Sequence, residues 1–192
     1  MSCRWSSQVV SCTATYARVS RPPPCVSLQL LRSVSSCTSS GSGNDNGEGK
    51  SGPLFKRIEE SFQRQGMMVG MGAELSRVLP GSCEIRLPYS DKVTQQQGGF
   101  HGGAVGAIAD IAAGYSSLTV APEGREVTTV EYKINFLAAC SGGYLRAEGR
   151  VVKAGKRAII TAADVFHQNE EGGKEVHCAI MQQTVMVVEK KY

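Results

Sequence analysis

The chain has 192 residues, of which 41% are hydrophobic and 20% are charged, and its net charge is +4. This length suits one domain of ordinary size with a surplus of about 40 to 50 residues, and it excludes two full domains. Five of the 21 basic residues but only two of the 17 acidic ones lie in the first fifty, so the remainder is nearly neutral. A neutral domain argues against wholesale nucleic-acid binding, and without an apolar run of about 18 residues no membrane span is predicted.

The first fifty residues have the composition of a targeting segment. Residues 1–44 contain arginine and much serine but no lysine, aspartate or glutamate. That composition is typical of an organelle transit peptide, and the Gly/Ser-rich stretch that follows is typical of a flexible linker. We therefore expect 1–50 to be a transit peptide and linker that directs the protein to the mitochondrial matrix, with the plastid as second choice. A plain disordered tail is the alternative.

The cysteines predict neither a disulfide framework nor a metal centre. Four of the seven cysteines lie in the first fifty residues, and Cys83, Cys140 and Cys178 follow without any CxxC spacing. Isolated cysteines of this kind usually pack in or near a core. His167 and His177 fall on separate predicted strands without ligand spacing. We therefore expect no metal ion.

Residues 51–192 predict one α+β domain. Apolar residues at helical spacing predict a short helix over 53–65, and the polar, glycine-bearing stretch 90–100 is predicted to be a loop. Strands are predicted at 69–79, 83–88, 127–137, 144–153, 157–167 and 175–188. Short turns between the later strands predict an antiparallel meander. Alternation in 127–137 places one set of apolar residues on a single side of its strand: Val130, Tyr132, Ile134 and Phe136.

An unusual helix is predicted at 101–119, between the two groups of strands. It contains four glycines, and each costs on the order of 1 kcal/mol relative to alanine in a helix. Such a helix needs tertiary support, and small residues around most of its surface indicate that other backbone packs closely against it. A strongly curled sheet wrapped around one central helix would provide that support.

Asp110 lies in the middle of this helix among alanine, valine and isoleucine residues. A buried, unpaired carboxylate is energetically costly and is rarely kept for packing alone. Burial would raise its pKa, which suits a general base or a nucleophile. The alternative is a satisfied helix aspartate that bonds to a neighbouring hydroxyl or faces water.

The helix geometry separates His101 from Asp110. Nine residues correspond to about 900° of rotation and roughly 13 Å along the axis, so the two lie on opposite faces. They could share a site only across a two-fold axis, and a catalytic role therefore predicts at least a dimer. Gly102 and Gly103 place unpaired amides at the positive end of the helix, which favours an oxyanion hole, although a glycine pair can also simply form a turn.

The stretches 94–118 (TQQQGGFHGGAVGAIADIAAGYSSL) and 127–139 (VTTVEYKINFLAA) resemble the hotdog-fold acyl-CoA thioesterases of the phenylacetate-degradation (PaaI-like) type. That family has an HGG motif that opens the central helix and an aspartate nine residues after the histidine. The resemblance covers about residues 55–190. It implies an antiparallel sheet of five or six strands around one helix, a homodimer or homotetramer, and hydrolysis of an acyl-CoA to free acid and CoA. It implies no cofactor beyond the coenzyme A of the substrate.

The resemblance also implies roles for individual residues. Asp110 would attack the thioester carbonyl or activate water, and the amide of Gly102 would bind the carbonyl oxygen. Gln95 would orient water or substrate where the family often has asparagine, and Thr129 replaces a family serine near the carboxylate. Further substrate contacts would come from His101, Gly103, Phe136, Leu137, Lys153, Gly155, Lys156 and Arg157. The basic turn 153–157 suits CoA phosphates, although it could be an ordinary charged hairpin turn.

Two other functions are compatible with the sequence. The first is a non-hydrolytic hotdog protein that binds acyl-CoA, although pure binding does not need a carboxylate beside an apolar pocket. The second is a hotdog hydratase or dehydratase, which favours a paired aspartate and histidine in one site. A serine hydrolase is not indicated because no GxSxG motif occurs, and Cys140 has no identifiable catalytic partner.

Overall fold

A computed structural model describes residues 49–191. The transit peptide and linker predicted at 1–50 therefore lie almost entirely outside the described residues. The three helices are α1 (Pro53–Phe62), α2 (Gly66–Met71) and α3 (Gly102–Leu118). The six strands are β1 (Glu74–Leu79), β2 (Ser82–Pro88), β3 (Arg125–Phe136), β4 (Tyr144–Ala154), β5 (Ala158–Gln168) and β6 (Val176–Glu189). Within the described part of the chain, no helix combines the length and apolar character needed to cross a membrane.

The strands form one antiparallel sheet in the order β1-β2-β4-β5-β6-β3. Helix α3 packs on one face of this sheet and contacts β2, β3, β4, β5 and β6. Its apolar side chains Ile108 and Ala112 are fully buried there. The predicted α+β class, with an antiparallel sheet of five or six strands and one central helix, is confirmed, and the sheet has six strands.

The predicted meander is correct for β4, β5 and β6 but wrong for β3, which pairs with β6 at the far edge of the sheet. The segment after β3 crosses the end of the sheet to reach β4. The carbonyl of Cys140 accepts from Phe100 N at 2.8 Å, and that of Gly143 accepts from Tyr89 N at 2.9 Å. This crossing places the end of β3 and the residues after it beside the start of α3.

The strand predicted over 69–79 is wrong in its first half. Residues 66–71 form α2, which ends at Gly72 in the left-handed region (φ 77°). The strand β1 starts only at Glu74. A short apolar run such as GMMVGM fits a helix and a strand equally well by periodicity. The left-handed glycine and the buried Met68 select the helix.

Close backbone packing on α3 occurs mainly at Gly149 of β4. A Cβ added to Gly149 would lie 2.2 Å from the carbonyl carbon of Ala112. The glycines of the helix itself are less crowded, since a Cβ on Gly114 would meet nothing within 4 Å. The expectation that backbone surrounds most of the helix is therefore wrong for a single chain. A stripe of α3 stays at least partly exposed: Gly103, Ala107, Asp110, Ile111 and Gly114.

Candidate active site

The start of α3 leaves one amide free. His101 is the N-cap residue, and its Nδ1 accepts a hydrogen bond from the backbone N–H of Gly103 at 2.8 Å. The amides of Ala104 and Val105 donate to the carbonyl of His101. Within residues 49–191 no acceptor is recorded for the N–H of Gly102. The helix N-terminus therefore presents Gly102 as its available donor, while the amide of Gly103 is occupied by the cap.

Gly102 opens onto a cleft of about 370 Å³ that Gln95, Phe136 and Leu137 also line. The side chain of Gln95 is held within its own loop, because its Oε1 accepts from the N–H of Gln97 at 2.7 Å. This bond occupies the Oε1 of Gln95, and its Nε2 remains the donor of a side chain that lines the cleft. Two amide donors, one from backbone and one from a side chain, therefore border the same space.

Two thiols line this cleft as well. Burial raises the pKa of Cys140, and it raises the pKa of Cys178 to about 12. A cysteine acts as a nucleophile through its thiolate, and these thiols are protonated at neutral pH. The cleft therefore contains thiols but no activated cysteine nucleophile.

Asp110 is bound at one of its two carboxylate oxygens. Its Oδ1 accepts from the hydroxyl of Thr129 at 2.8 Å and from the Nε2 of Gln183. A β-bulge makes the first contact possible, because Val130 is an extra residue in the register between β3 and β6. The bulge places Thr129 on the same inward face as Tyr132, and the expectation that Val130 shares that face is wrong.

The environment of Asp110 suits a base. Burial raises the pKa of its carboxyl, and the hydrogen bonds from Thr129 and Gln183 partly oppose that rise. The Oδ2 atom receives no hydrogen bond from any described residue, and Asp110 lines a chamber of about 140 Å³ beside Ile111 and Val185. A half-buried carboxylate with one tethered and one free oxygen can accept a proton from water at the free oxygen.

Within one chain the amide donors and the carboxylate belong to different spaces. The cleft of Gly102 and the chamber of Asp110 have no lining residue in common. Eight residues of helix separate the two, which corresponds to about 12 Å along the axis. Within one chain these groups therefore form two separate candidate half-sites.

A large apolar surface lies beside both half-sites. Strand β3 is at the edge of the sheet. On the side that faces α3, Tyr132 and Phe136 are 45% and 55% exposed, and Leu137 directly after the strand is 52% exposed. An exposed edge strand with large apolar side chains is a typical protein–protein contact surface.

The basic turn joins β4 to β5 and lines neither the cleft nor the chamber. Lys153, Gly155, Lys156 and Arg157 are all exposed. The carbonyl of Arg157 accepts from Val187 N at 2.9 Å. Nearby, Ile159 and Thr129 both pair with Val185. The turn therefore lies at the end of the sheet where Thr129 meets Asp110, away from the start of α3.

Gln183 was missed by the sequence reasoning. It is fully buried in β6, whereas its neighbour Gln182 is exposed. The signal was present in the strand alternation, because Met181, Gln183 and Val185 fall on the inward side. A polar residue at a core position requires a hydrogen-bond partner, and that requirement could have drawn attention to it.

Comparison with known proteins bears on the family and the fold of this chain. The sequence model of the thioesterase superfamily matches residues 97–174. A Saccharolobus solfataricus protein whose name describes it as a candidate esterase is 30% identical over 107 residues, which cover 55% of this chain and 76% of that protein. The crystal structure of a thioesterase family protein from Silicibacter pomeroyi is 33% identical, with a TM-score of 0.68, over 72% of this chain and 100% of that one.

The E. coli PaaI protein from the phenylacetic acid degradation operon has the same fold, with a TM-score of 0.61 and 17% identity over 70% of this chain and 93% of that one. The chain belongs to the thioesterase superfamily. Its fold is that of the hotdog thioesterases, and membership supports a hydrolase that acts on thioester or ester bonds.

Proposed function

We propose that the protein hydrolyses an acyl-CoA thioester to a free acid and CoA. The observation that carries this proposal is the carboxylate of Asp110, tethered at Oδ1, free at Oδ2 and raised in pKa by burial. A non-hydrolytic acyl-CoA-binding protein does not need such a carboxylate. A hotdog hydratase or dehydratase favours an aspartate paired with a histidine in one site, and no described histidine lines the chamber of Asp110.

Asp110 acts as the base in this proposal, or directly as the nucleophile. As a base it takes a proton from water at Oδ2 while the water oxygen attacks the thioester carbonyl. The N–H of Gly102 stabilises the resulting oxyanion, and the Nε2 of Gln95 orients the water or the carbonyl. The C–S bond then breaks, and the departing sulfur of CoA takes the proton that Oδ2 of Asp110 had accepted, which releases the free acid and returns Asp110 to its ionised form. The chemistry uses these groups alone and requires no resident cofactor.

The complete site forms between two subunits. The Gly102 cleft and the Asp110 chamber do not meet within a chain, and the exposed stripe of α3 adjoins the apolar edge strand β3. A second copy packed on this surface with two-fold symmetry would bring the Asp110 of each chain to the Gly102 of the other. The functional unit is therefore at least a homodimer, and two such dimers would make a tetramer.

The experiment that tests the activity is thiol release from short, long and aryl acyl-CoAs. We expect hydrolysis by the wild type and a loss of at least about 100-fold in Asp110→Asn, the order of one missing general base. Asp91→Asn, an exposed carboxylate outside both half-sites, is the matched control. Undiminished hydrolysis by Asp110→Asn contradicts the proposal. Acyl-CoA binding without turnover by the wild type would favour a binding protein, and hydration of an enoyl-CoA would favour a hydratase.

The transit peptide and the destination of the protein form a separate part of the proposal. We infer from their composition that residues 1–50 direct the protein to the mitochondrial matrix. A fluorescent protein fused after residue 50 should enter mitochondria, and the same fusion with its four arginines changed to glutamine should remain outside. Accumulation in plastids, or no import at all, would contradict the mitochondrial assignment.

A further inference from the structure

The second tether of Asp110 comes from a buried carboxamide with no role in the scheme above. Gln183 has no exposed surface, and its Nε2 reaches both the Oδ1 of Asp110 and the Oγ1 of Thr129, the latter at 2.9 Å. Its Oε1 is 3.0 Å from the hydroxyl of Thr161, which is also fully buried. A network of side-chain hydrogen bonds thus connects β5, β6, α3 and β3.

The chemistry of the side chains determines which group donates and which accepts in each hydrogen bond of this network. An ionised carboxylate only accepts, so the –NH₂ side of Gln183 must face Asp110. The two hydrogens of that group then serve Asp110 and Thr129. Thr129 accepts from Gln183 and donates its own proton to Asp110. Thr161 donates to the remaining Oε1, which prevents the amide from turning over.

We propose that Gln183 is a positioning residue that holds Oδ1 of Asp110 and leaves Oδ2 as the oxygen that faces the substrate chamber, with Thr161 as the residue that sets its orientation. The proposal rests on the proposed function in assigning the chemistry to Asp110. Gln183 touches no reacting atom in it.

The proposed role of Gln183 can be measured through the pKa of Asp110. Burial raises the pKa of Asp110, and the hydrogen bonds of Thr129 and Gln183 are what oppose that rise. The titratable groups that share its chamber are Glu126 of β3, which is paired with Lys190 at 3.7 Å, and Tyr115 of α3. The chamber is also lined by Ser61 of α1, by Gln65 at the start of α2 and by Val185 of β6, which do not titrate near neutral pH. Loss of the Gln183 bond should therefore appear in the titration of Asp110 itself.

The test compares Gln183→Met, which keeps the length of the side chain and removes the donor, with Gln182→Met on the exposed face of the same strand. Two readouts are taken: the acid limb of the pH profile of kcat/KM, and the ¹³C NMR titration of the Asp110 carboxyl, identified by its absence in Asp110→Asn. We expect Gln183→Met to move both upward by on the order of one pH unit, the size of one lost hydrogen bond to a carboxylate, while kcat falls and KM changes little. Gln182→Met should move neither.

Thr161→Val supplies the second variant if Gln183→Met does not fold. It frees the amide to turn, and a smaller shift in the same direction is expected. An unchanged NMR midpoint for Asp110 in folded Gln183→Met, or in Thr161→Val if only that variant folds, overturns the proposal. The NMR readout does not depend on turnover, so it judges Gln183 even if Asp110→Asn retains activity and the proposed function fails.

Discussion

Gly102 and Asp110 lie on the same helix, and each lines a space that the other does not reach. The free amide of Gly102 is at the first residue of α3, while the carboxylate of Asp110 is on the partly exposed stripe more than two turns later. Each element of the proposed chemistry is therefore prepared within a chain, and in the proposed dimer a second chain packed on β3 and α3 would combine the two.

Gly102→Pro tests the amide donor directly. Gly102 is the first helical residue, where proline is well accepted, and His101 has φ −68° and ψ 133°, which suits a residue before proline. Proline removes the N–H, so we expect kcat to fall by about 10²–10³ with the helix intact. The control is Gly102→Ala, whose Cβ would lie 3.3 Å from the movable ring of Phe136 and which keeps the N–H. Equal activity of the two variants would contradict the role of this amide.

Asp110→Asn should stabilise the fold at neutral pH. Because the folded-state pKa of Asp110 lies above its ordinary value, this carboxyl favours the folded state at low pH and that contribution is lost as pH rises through the folded pKa. Asparagine keeps an acceptor for Thr129 and Gln183 without the charge. We expect thermal unfolding to show a gain of roughly 0.5–1 kcal/mol at pH 7 that shrinks toward pH 4. A gain that is larger at pH 4 than at pH 7 would contradict this account of the carboxyl.

Gly149→Ala should destabilise the domain more than any glycine substitution on an open surface. The added Cβ would meet the backbone of Ala112 at 2.2 Å, so α3 would have to move away from β4. We expect a loss of about 3 kcal/mol in urea unfolding. Gly70→Ala is the matched control, because a Cβ there meets nothing within 4 Å and alanine favours the helix α2 by about 0.5–1 kcal/mol. Similar effects of both substitutions would exclude the close approach.

The turn between β4 and β5 should recognise the phosphates of CoA. We expect Lys156→Ala/Arg157→Ala to raise KM for an acyl-CoA by about 30-fold, since each of the two lost charge-assisted bonds contributes on the order of 1 kcal/mol. The KM for the same acyl group on N-acetylcysteamine, which lacks phosphates, should not change. Lys174→Ala, another exposed lysine in a turn, serves as the control. An equal rise of KM for the acyl-CoA and for the N-acetylcysteamine thioester would show that this turn does not bind the phosphates of CoA.

The sequence predicted the parts of the site that depend on local pattern. The glycine-rich helix, the cap region at His101 and the anomalous Asp110 could all be found from spacing and composition, and the six-stranded sheet followed from alternation and turns. The position of β3 could not be found in this way, because strand order depends on a crossing of residues 137–143 over the start of α3. Thr129 came from the family resemblance alone, since its inward direction depends on the bulge at Val130.

Gln183 shows a different limit. The alternation of apolar residues along β6 marked position 183 as buried. The hydrogen-bond partners of Gln183 lie 54 and 73 residues earlier in the chain, at Thr129 and Asp110. A contact between a strand and a helix at that separation is set by tertiary packing and leaves no local sequence pattern.

The arrangement of the site across two chains is tested most directly by a mixed dimer. Asp110→Asn and Gly102→Pro chains are co-expressed with different affinity tags, and the mixed species is isolated by two successive purifications. Each variant alone should be inactive. In the mixed dimer one site takes its intact Asp110 from one chain and its intact Gly102 from the other, so we expect about half of the wild-type kcat. A mixed dimer as inactive as its parents would show that both groups act within one chain and would contradict the shared site.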